Sequence, residues 1–360
     1  MKKKNSLIHF ISLGLIILLI LSGCAPSPDE NDSSNPASNE NTAADNNKTN
    51  EVENNYSEEP NADEVIPEEP AIVSNVPENN RHVFLEGMEA LSNEPVQIEI
   101  PTDDGRTIQG YYYPGLYNPG PILVLMHWAG GDMHDWDVIA PWLQNRGVEP
   151  LRYGNDSPWW NPTWFPELPE WASFGVIVFN FGEFGLKESD RDTWVLDAKA
   201  AVDFATQLEE ASPDQITTMG ASIGSDGSPD GCYLHQLDDT SIGTCLGAFS
   251  FSPGNYLKNV DNFNFTYAET IEGLVMNPDA EKVAYCLAAK EDYDSPDTCL
   301  GAIQDKEEFD RYKVFLYPGG AHGMRLVEPD QFPIEPELQK TSLEIYLMFL
   351  EDVYQIELDE

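Results

Sequence analysis

The sequence predicts an α/β domain, one mostly parallel central sheet with helices on both faces. Two observations carry this. Short apolar runs of strand length recur at 121–126 (PILVLM), 174–180 (FGVIVFN), 215–219 (QITTM), 246–251 (LGAFSF), 283–289 (VAYCLAA) and 313–317 (KVFLY). Runs that are apolar with little alternation suit strands covered on both faces of a parallel sheet. Between them lie stretches with apolar residues at helical spacing, and strand–helix alternation implies a doubly wound sheet in one domain.

Taken in chain order, 96–101 (VQIEIP) and 107–113 (TIQGYYY) read as a pair of alternating strands ahead of the first apolar run. Helices are expected at 135–146, at 192–208 with Asp192 as N-cap, and at 335–352. Residues 147–171 break the alternation, with Trp159, Trp160, Trp164, Phe165 and Trp171 spaced by prolines. So many prolines exclude a helix. The segment reads as a long insertion or lid over the top edge of the sheet, its aromatics either packed on the body or walling a substrate pocket.

The first 23 residues read as an address. Lys2, Lys3 and Lys4 precede an apolar run at 7–21, and Ser22 and Gly23 follow it, which is signal-peptide layout. The ending Leu21-Ser22-Gly23-Cys24 resembles the lipobox of bacterial lipoproteins. That resemblance implies removal of residues 1–23, a lipid on Cys24, and a membrane-anchored protein outside the cytoplasm. Residues 24–80 read as an acidic, disordered tether: 14 acids face one base, Lys48, with too little apolar surface to offset ordering entropy. The folded domain is expected over 81–360.

The whole chain carries 63 Asp+Glu against 19 Lys+Arg, a formal net charge of −44. That balance excludes a general nucleic-acid binder and disfavours polyanionic substrates. Its 41% hydrophobic content is enough for a real core. Besides Cys24 there are four cysteines, Cys232, Cys245, Cys286 and Cys299, an even number that suits disulfides in an oxidising compartment. Three pairings are possible; the local one, Cys232–Cys245 and Cys286–Cys299, is preferred. No metal-ligand spacing is present, and no cofactor is implied.

Chemistry concentrates in four places. Gly220-Ala221-Ser222-Ile223-Gly224 follows the strand QITTM, and G-x-S-x-G sets a nucleophilic Ser on a sharp strand-to-helix turn. His127-Trp128-Ala129-Gly130-Gly131 follows PILVLM, and such a turn can aim a backbone N–H at a developing oxyanion; the N–H groups of Trp128 and Ile223 are the expected pair. His127 itself is read as a structural partner beneath that turn rather than a base. Asp292, just after VAYCLAA, can hold an imidazole in the required tautomer, with Glu291, Asp294 and Asp297 competing. His322, in Pro318-Gly319-Gly320-Ala321-His322-Gly323 after KVFLY, is the candidate base.

The order Ser222, Asp292, His322 is that of an α/β-hydrolase. Residues 95–350 resemble that fold, and within it the dienelactone hydrolase-like bacterial esterases. The resemblance rests on HWAGG, VFNFGEFGLKES, DAKAAVDF, GASIGS, FSFSPGNYL, AAKED and YPGGAHG, which run in the family's order. Dienelactone hydrolases proper use a Cys nucleophile, so Ser222 points to an esterase acting on a small-molecule ester more than to dienelactone cleavage. Many relatives have His-Gly where this chain has His127-Trp128, and the bulk of Trp128 is expected to narrow the acyl site. The base must be neutral, so activity is expected to rise with pH through roughly 6 to 7. A peptidase or acyltransferase on the same fold, or a binding protein that keeps the fold, are the competing readings.

Overall fold

The computed structural model describes residues 95–146, 164–169, 171–183, 185–257, 264–276, 282–302, 310–328, 340–356 and 358. The signal, lipidation and tether expectations at 1–80 lie outside them. All eight predicted strands are present: β1 (Val96–Pro101), β2 (Thr107–Tyr113), β3 (Gly120–Met126), β4 (Gly175–Phe179), β5 (Ala211–Ala221), β6 (Cys245–Phe251), β7 (Val283–Ala289) and β8 (Tyr312–Tyr317). They form one sheet in the order β1-β2-β4-β3-β5-β6-β7-β8. Pairing is antiparallel at β1–β2 and β2–β4 and parallel from β4 through β8. This is the α/β-hydrolase arrangement, with the order reversing at β3, where the chain crosses from β4 to β5. Open α/β sheets bind ligands beyond the strands' carboxyl ends at such a switch point.

Strand side chains alternate between two cores. On one face Leu123, Leu125, Val176, Val178, Phe249 and Tyr285 pack with α1 (Ile139–Leu143) and α6 (Ser342–Tyr354). On the other, Ile122, Val124, Ile177, Phe179 and Ala284 pack with α2 (Trp194–Gln207), α3 (Ile223–Leu237), α4 (Tyr267–Val275) and α5 (Ser295–Gly301). Two disulfides tie helices of the second layer to the sheet: Cys232 of α3 to Cys245 of β6, and Cys286 of β7 to Cys299 of α5. No described helix is long and apolar enough to cross a membrane.

Several helix expectations need correction. Asp192 does not cap α2: residues Glu188–Thr193 form a 3₁₀ turn that runs into the helix, so Thr193 occupies the N-cap position. The expected helix at 135–146 resolves into a 3₁₀ turn at Met133–Trp136, capped by the Asp132 carboxylate, and the short α1. The last helix begins at Ser342 because Thr341 and Glu344 form a reciprocal capping box there; residues 335–339 lie outside the described set. Of the aromatic insertion, 147–163 and residue 170 also lie outside it. The described end is not over the top edge. Trp164 and Phe165 are buried, Phe165 lies edge-on to Trp142 near the end of α1, and Asn145 donates to the Pro169 carbonyl. Trp171 is exposed.

Candidate active site

Turns at the carboxyl ends of β5, β7 and β8 bring Ser222, Asp292 and His322 together. Ser222 sits between β5 and α3 with φ +53° and ψ −115°. That left-handed value is uncommon outside glycine and is retained only where surrounding structure enforces it. The two flanking glycines show what enforces it. A Cβ on Gly220 would lie 1.8 Å from the Gly224 carbonyl oxygen, and one on Gly224 would lie 2.2 Å from that of Met126 on β3. The turn closes only if both positions lack side chains. The Ser222 N–H donates to the Phe251 carbonyl at 2.8 Å, tying the turn to the end of β6.

The His322 Nε2 lies 2.8 Å from Ser222 Oγ, and its Nδ1 lies 2.9 and 3.0 Å from the two Asp292 oxygens. The Asp292 side chain is fully buried. Its turn is held by the β8 loop, through Lys290 N–H to the Tyr317 carbonyl and Glu291 N–H to the Gly319 carbonyl. Among the acids that competed for this position, Asp292 is the one hydrogen-bonded to His322; Asp294 occupies the N-cap position of α5 instead.

The turn after β3 lies against the same site. His127 is buried, accepts the Phe181 N–H at Nε2 and hydrogen-bonds the Trp128 carbonyl through Nδ1. Burial lowers its pKa to about 4, so this imidazole is a neutral strut rather than a proton acceptor. Trp128 folds over Gly130 and Gly131, and a Cβ on Gly323 would meet its ring at 3.0 Å and the Ser222 Cβ at 3.5 Å. The indole therefore stands beside the nucleophile. Ile223 is the first residue of α3, where backbone N–H groups have no intrahelical partner.

Sequence reasoning missed the support behind this edge. Asp226, one turn into α3, accepts the backbone N–H groups of Gly254 and Tyr256. Its burial pushes the carboxyl up to about 7, against the pull of those donors. The Arg191 guanidinium donates twice to the Tyr256 carbonyl, at 2.8 and 3.1 Å. So clamped, the Tyr256 ring stands edge-on to His322 at 6.3 Å between centroids. Tyr256 lies within the stretch FSFSPGNYL, but nothing local in the sequence assigned it or Asp226 a supporting role.

The sheet order is that of the α/β-hydrolase fold. No protein-family profile matches the sequence, and no curated protein does. Among solved structures it is similar to an esterase of Pyrococcus furiosus, at 14% identity over 74% of this chain and 95% of that one, TM-score 0.45. It is similar to GrgF, an α/β hydrolase of a Penicillium species, at 12% identity over 73% and 100%, TM-score 0.47. It is also similar to a dienelactone hydrolase of Anabaena variabilis, at 11% identity over 74% and 98%, TM-score 0.44.

Proposed function

We propose that this protein is a serine hydrolase that cleaves small-molecule carboxylic esters through an acyl-enzyme on Ser222. The observation that carries the reading is the unbroken run of hydrogen-bond distances from Asp292 through His322 to Ser222. In this reading His322 Nε2 takes the Ser222 proton as Oγ attacks the ester carbonyl. Asp292 holds the proton on Nδ1 and stabilises the imidazolium that forms. The N–H groups of Ile223 and Trp128 receive the oxyanion. Collapse of the tetrahedral intermediate expels the alcohol, which takes the proton from Nε2. Water, activated by the same nitrogen, then releases the acid and restores Ser222. Every step is assigned to a group of this chain.

The same proposal has residues 1–23 removed as a lipoprotein signal, Cys24 lipidated, residues 24–80 acting as a tether and 81–360 folding as the hydrolase domain. Two disulfides support an oxidising, extracytoplasmic setting. The test is turnover of p-nitrophenyl esters of increasing chain length by the mature chain, with fluorophosphonate labelling. Ser222→Ala is expected to lower kcat about 10³-fold or more and abolish the label. Equal inertness of wild type and variant, with no label, would refute the reading. Cys24→Ser is expected to move the protein from the membrane to the soluble fraction.

A further inference from the structure

Strand β6 ends between the strands that lead to Ser222 and Asp292, and the residue that follows it is bonded to β7 and to the loop that carries His322. Ser252 immediately follows β6. Its N–H donates to the Leu287 carbonyl of β7, the strand that leads to Asp292, at 2.8 Å. The preceding residue, Phe251, accepts the Ser222 N–H. The Ser252 hydroxyl oxygen accepts the Gly323 N–H at 3.0 Å, and Gly323 is the neighbour of His322. Ser252 is completely buried and has φ +58°. A serine held in that backbone region is disfavoured relative to glycine. The position thus carries a backbone cost and, in exchange, presents a hydroxyl to the histidine loop.

We propose that Ser252 is a positioning residue that fixes the register of His322 against Ser222 by holding the Gly323 N–H. The inference rests on the reading of Ser222 as nucleophile. Its geometry follows from what surrounds Gly323. That residue also has a left-handed φ of +57°, and a Cβ there would meet both the Trp128 ring and the Ser222 Cβ. The Asp292 carboxylate fixes the imidazole at Nδ1 but leaves the ring able to pivot about that bond. A second anchor one residue along the backbone removes the pivot. The Ser252 end is itself immobilised, since Asp226 and Arg191 clamp Tyr256 four residues further on. A buried N–H left without its acceptor is unfavourable, so without the hydroxyl the loop is driven towards arrangements in which Nε2 no longer meets Oγ.

Backbone strain at Ser252 makes the test discriminating. Ser252→Gly removes the hydroxyl while relieving the positive φ, and Ser252→Ala removes the hydroxyl while keeping it. Each is compared with wild type in the full mature chain for p-nitrophenyl acetate kcat and KM, the rate of fluorophosphonate labelling of Ser222, and Tm. A positioning role predicts that both variants lose about tenfold or more in kcat and in labelling rate, the cost of one orphaned buried donor. KM should stay within about twofold, and Ser252→Gly should melt no lower than Ser252→Ala. Wild-type kcat in Ser252→Gly, or a loss confined to whichever variant has the lower Tm, would overturn the proposal by making the role purely structural. If wild type itself neither turns over nor labels, the hydrolase reading falls first and this inference with it.

Discussion

Replacing Asp292 by Asn tests the proton-handling geometry with almost no change in shape. In wild type both Asp292 oxygens lie within 3.0 Å of His322 Nδ1. A carboxylate only accepts, so it demands an N–H at Nδ1 and leaves Nε2 bare towards Ser222 Oγ, 2.8 Å away. An Asn side chain in the same buried slot can turn its amide towards the ring and donate to Nδ1. The proton then resides on Nε2, which faces Oγ and can no longer accept from it. The imidazolium also loses its countercharge. For a triad of this geometry the combined loss is about 10⁴ in kcat, or about 5.4 kcal/mol of transition-state stabilisation. The assay is p-nitrophenyl acetate hydrolysis at pH 7 with fluorophosphonate labelling alongside, and urea unfolding to show that the fold is intact. A loss of less than tenfold in a variant with an unchanged unfolding midpoint would refute the tautomer argument.

Three further outcomes follow from the same structure. Gly224→Ala places a Cβ 2.2 Å from the Met126 carbonyl oxygen, a backbone atom of a central strand; a loss of about 3 kcal/mol is expected from urea midpoints, and a loss below about 1 would show that the turn can yield. His127 has a pKa lowered by burial from 6.5 to about 4, so the unfolded chain binds its proton first. Its contribution is whole above pH 6.5 and is lost as pH falls towards 4, about 3 kcal/mol in all. Urea midpoints from pH 4 to 7 should therefore fall more steeply with acid for wild type than for His127→Gln, and parallel curves would contradict the assignment. Each disulfide closes a loop of sequence separation 13, so replacing Cys286 and Cys299 together by Ser should cost about 3 kcal/mol by chain entropy, read from urea midpoints; no change would mean that pair contributes nothing.

What was legible in the sequence divides along the range of the interactions involved. Strands β3, β4, β6 and β7 could be read because burial on both faces leaves a continuous apolar run, a signal confined to a few adjacent residues; β5 and the half-buried β8 carry it over part of their length. The Ser222, Asp292 and His322 candidates could be picked because each sits in a turn of small residues directly after such a run, and the structure brings them to hydrogen-bond distance. Helix α4 was overlooked although Thr266 and Glu269 form a capping box that spells its start. Helix α3 is different. It contains Gly224, Gly227, Gly231 and Pro229, all poor helix residues. It is helical because those glycines admit neighbours: a Cβ on Gly231 would lie 2.8 Å from the Ala198 carbonyl oxygen of α2. Packing overrides propensity there, and packing is not written in a window of local sequence.

The same reasoning accounts for the supporting residues that escaped notice. Ser252 meets Gly323 across 71 positions of sequence, and Asp226 meets Tyr256 across 30. Each contact exists because parallel pairing sets β6 beside both β5 and β7, aligning Phe251 with Ala221 and with Leu287. A one-residue slip in that register would turn the alternating faces of β6 over and carry Ser252 away from the site. The candidate catalytic residues announce themselves through local turn chemistry. The residues that aim them are specified only by strand register, and register is a property of the whole sheet's two-sided core. A substitution that shifts β6 should therefore disable the site while leaving every motif residue in place.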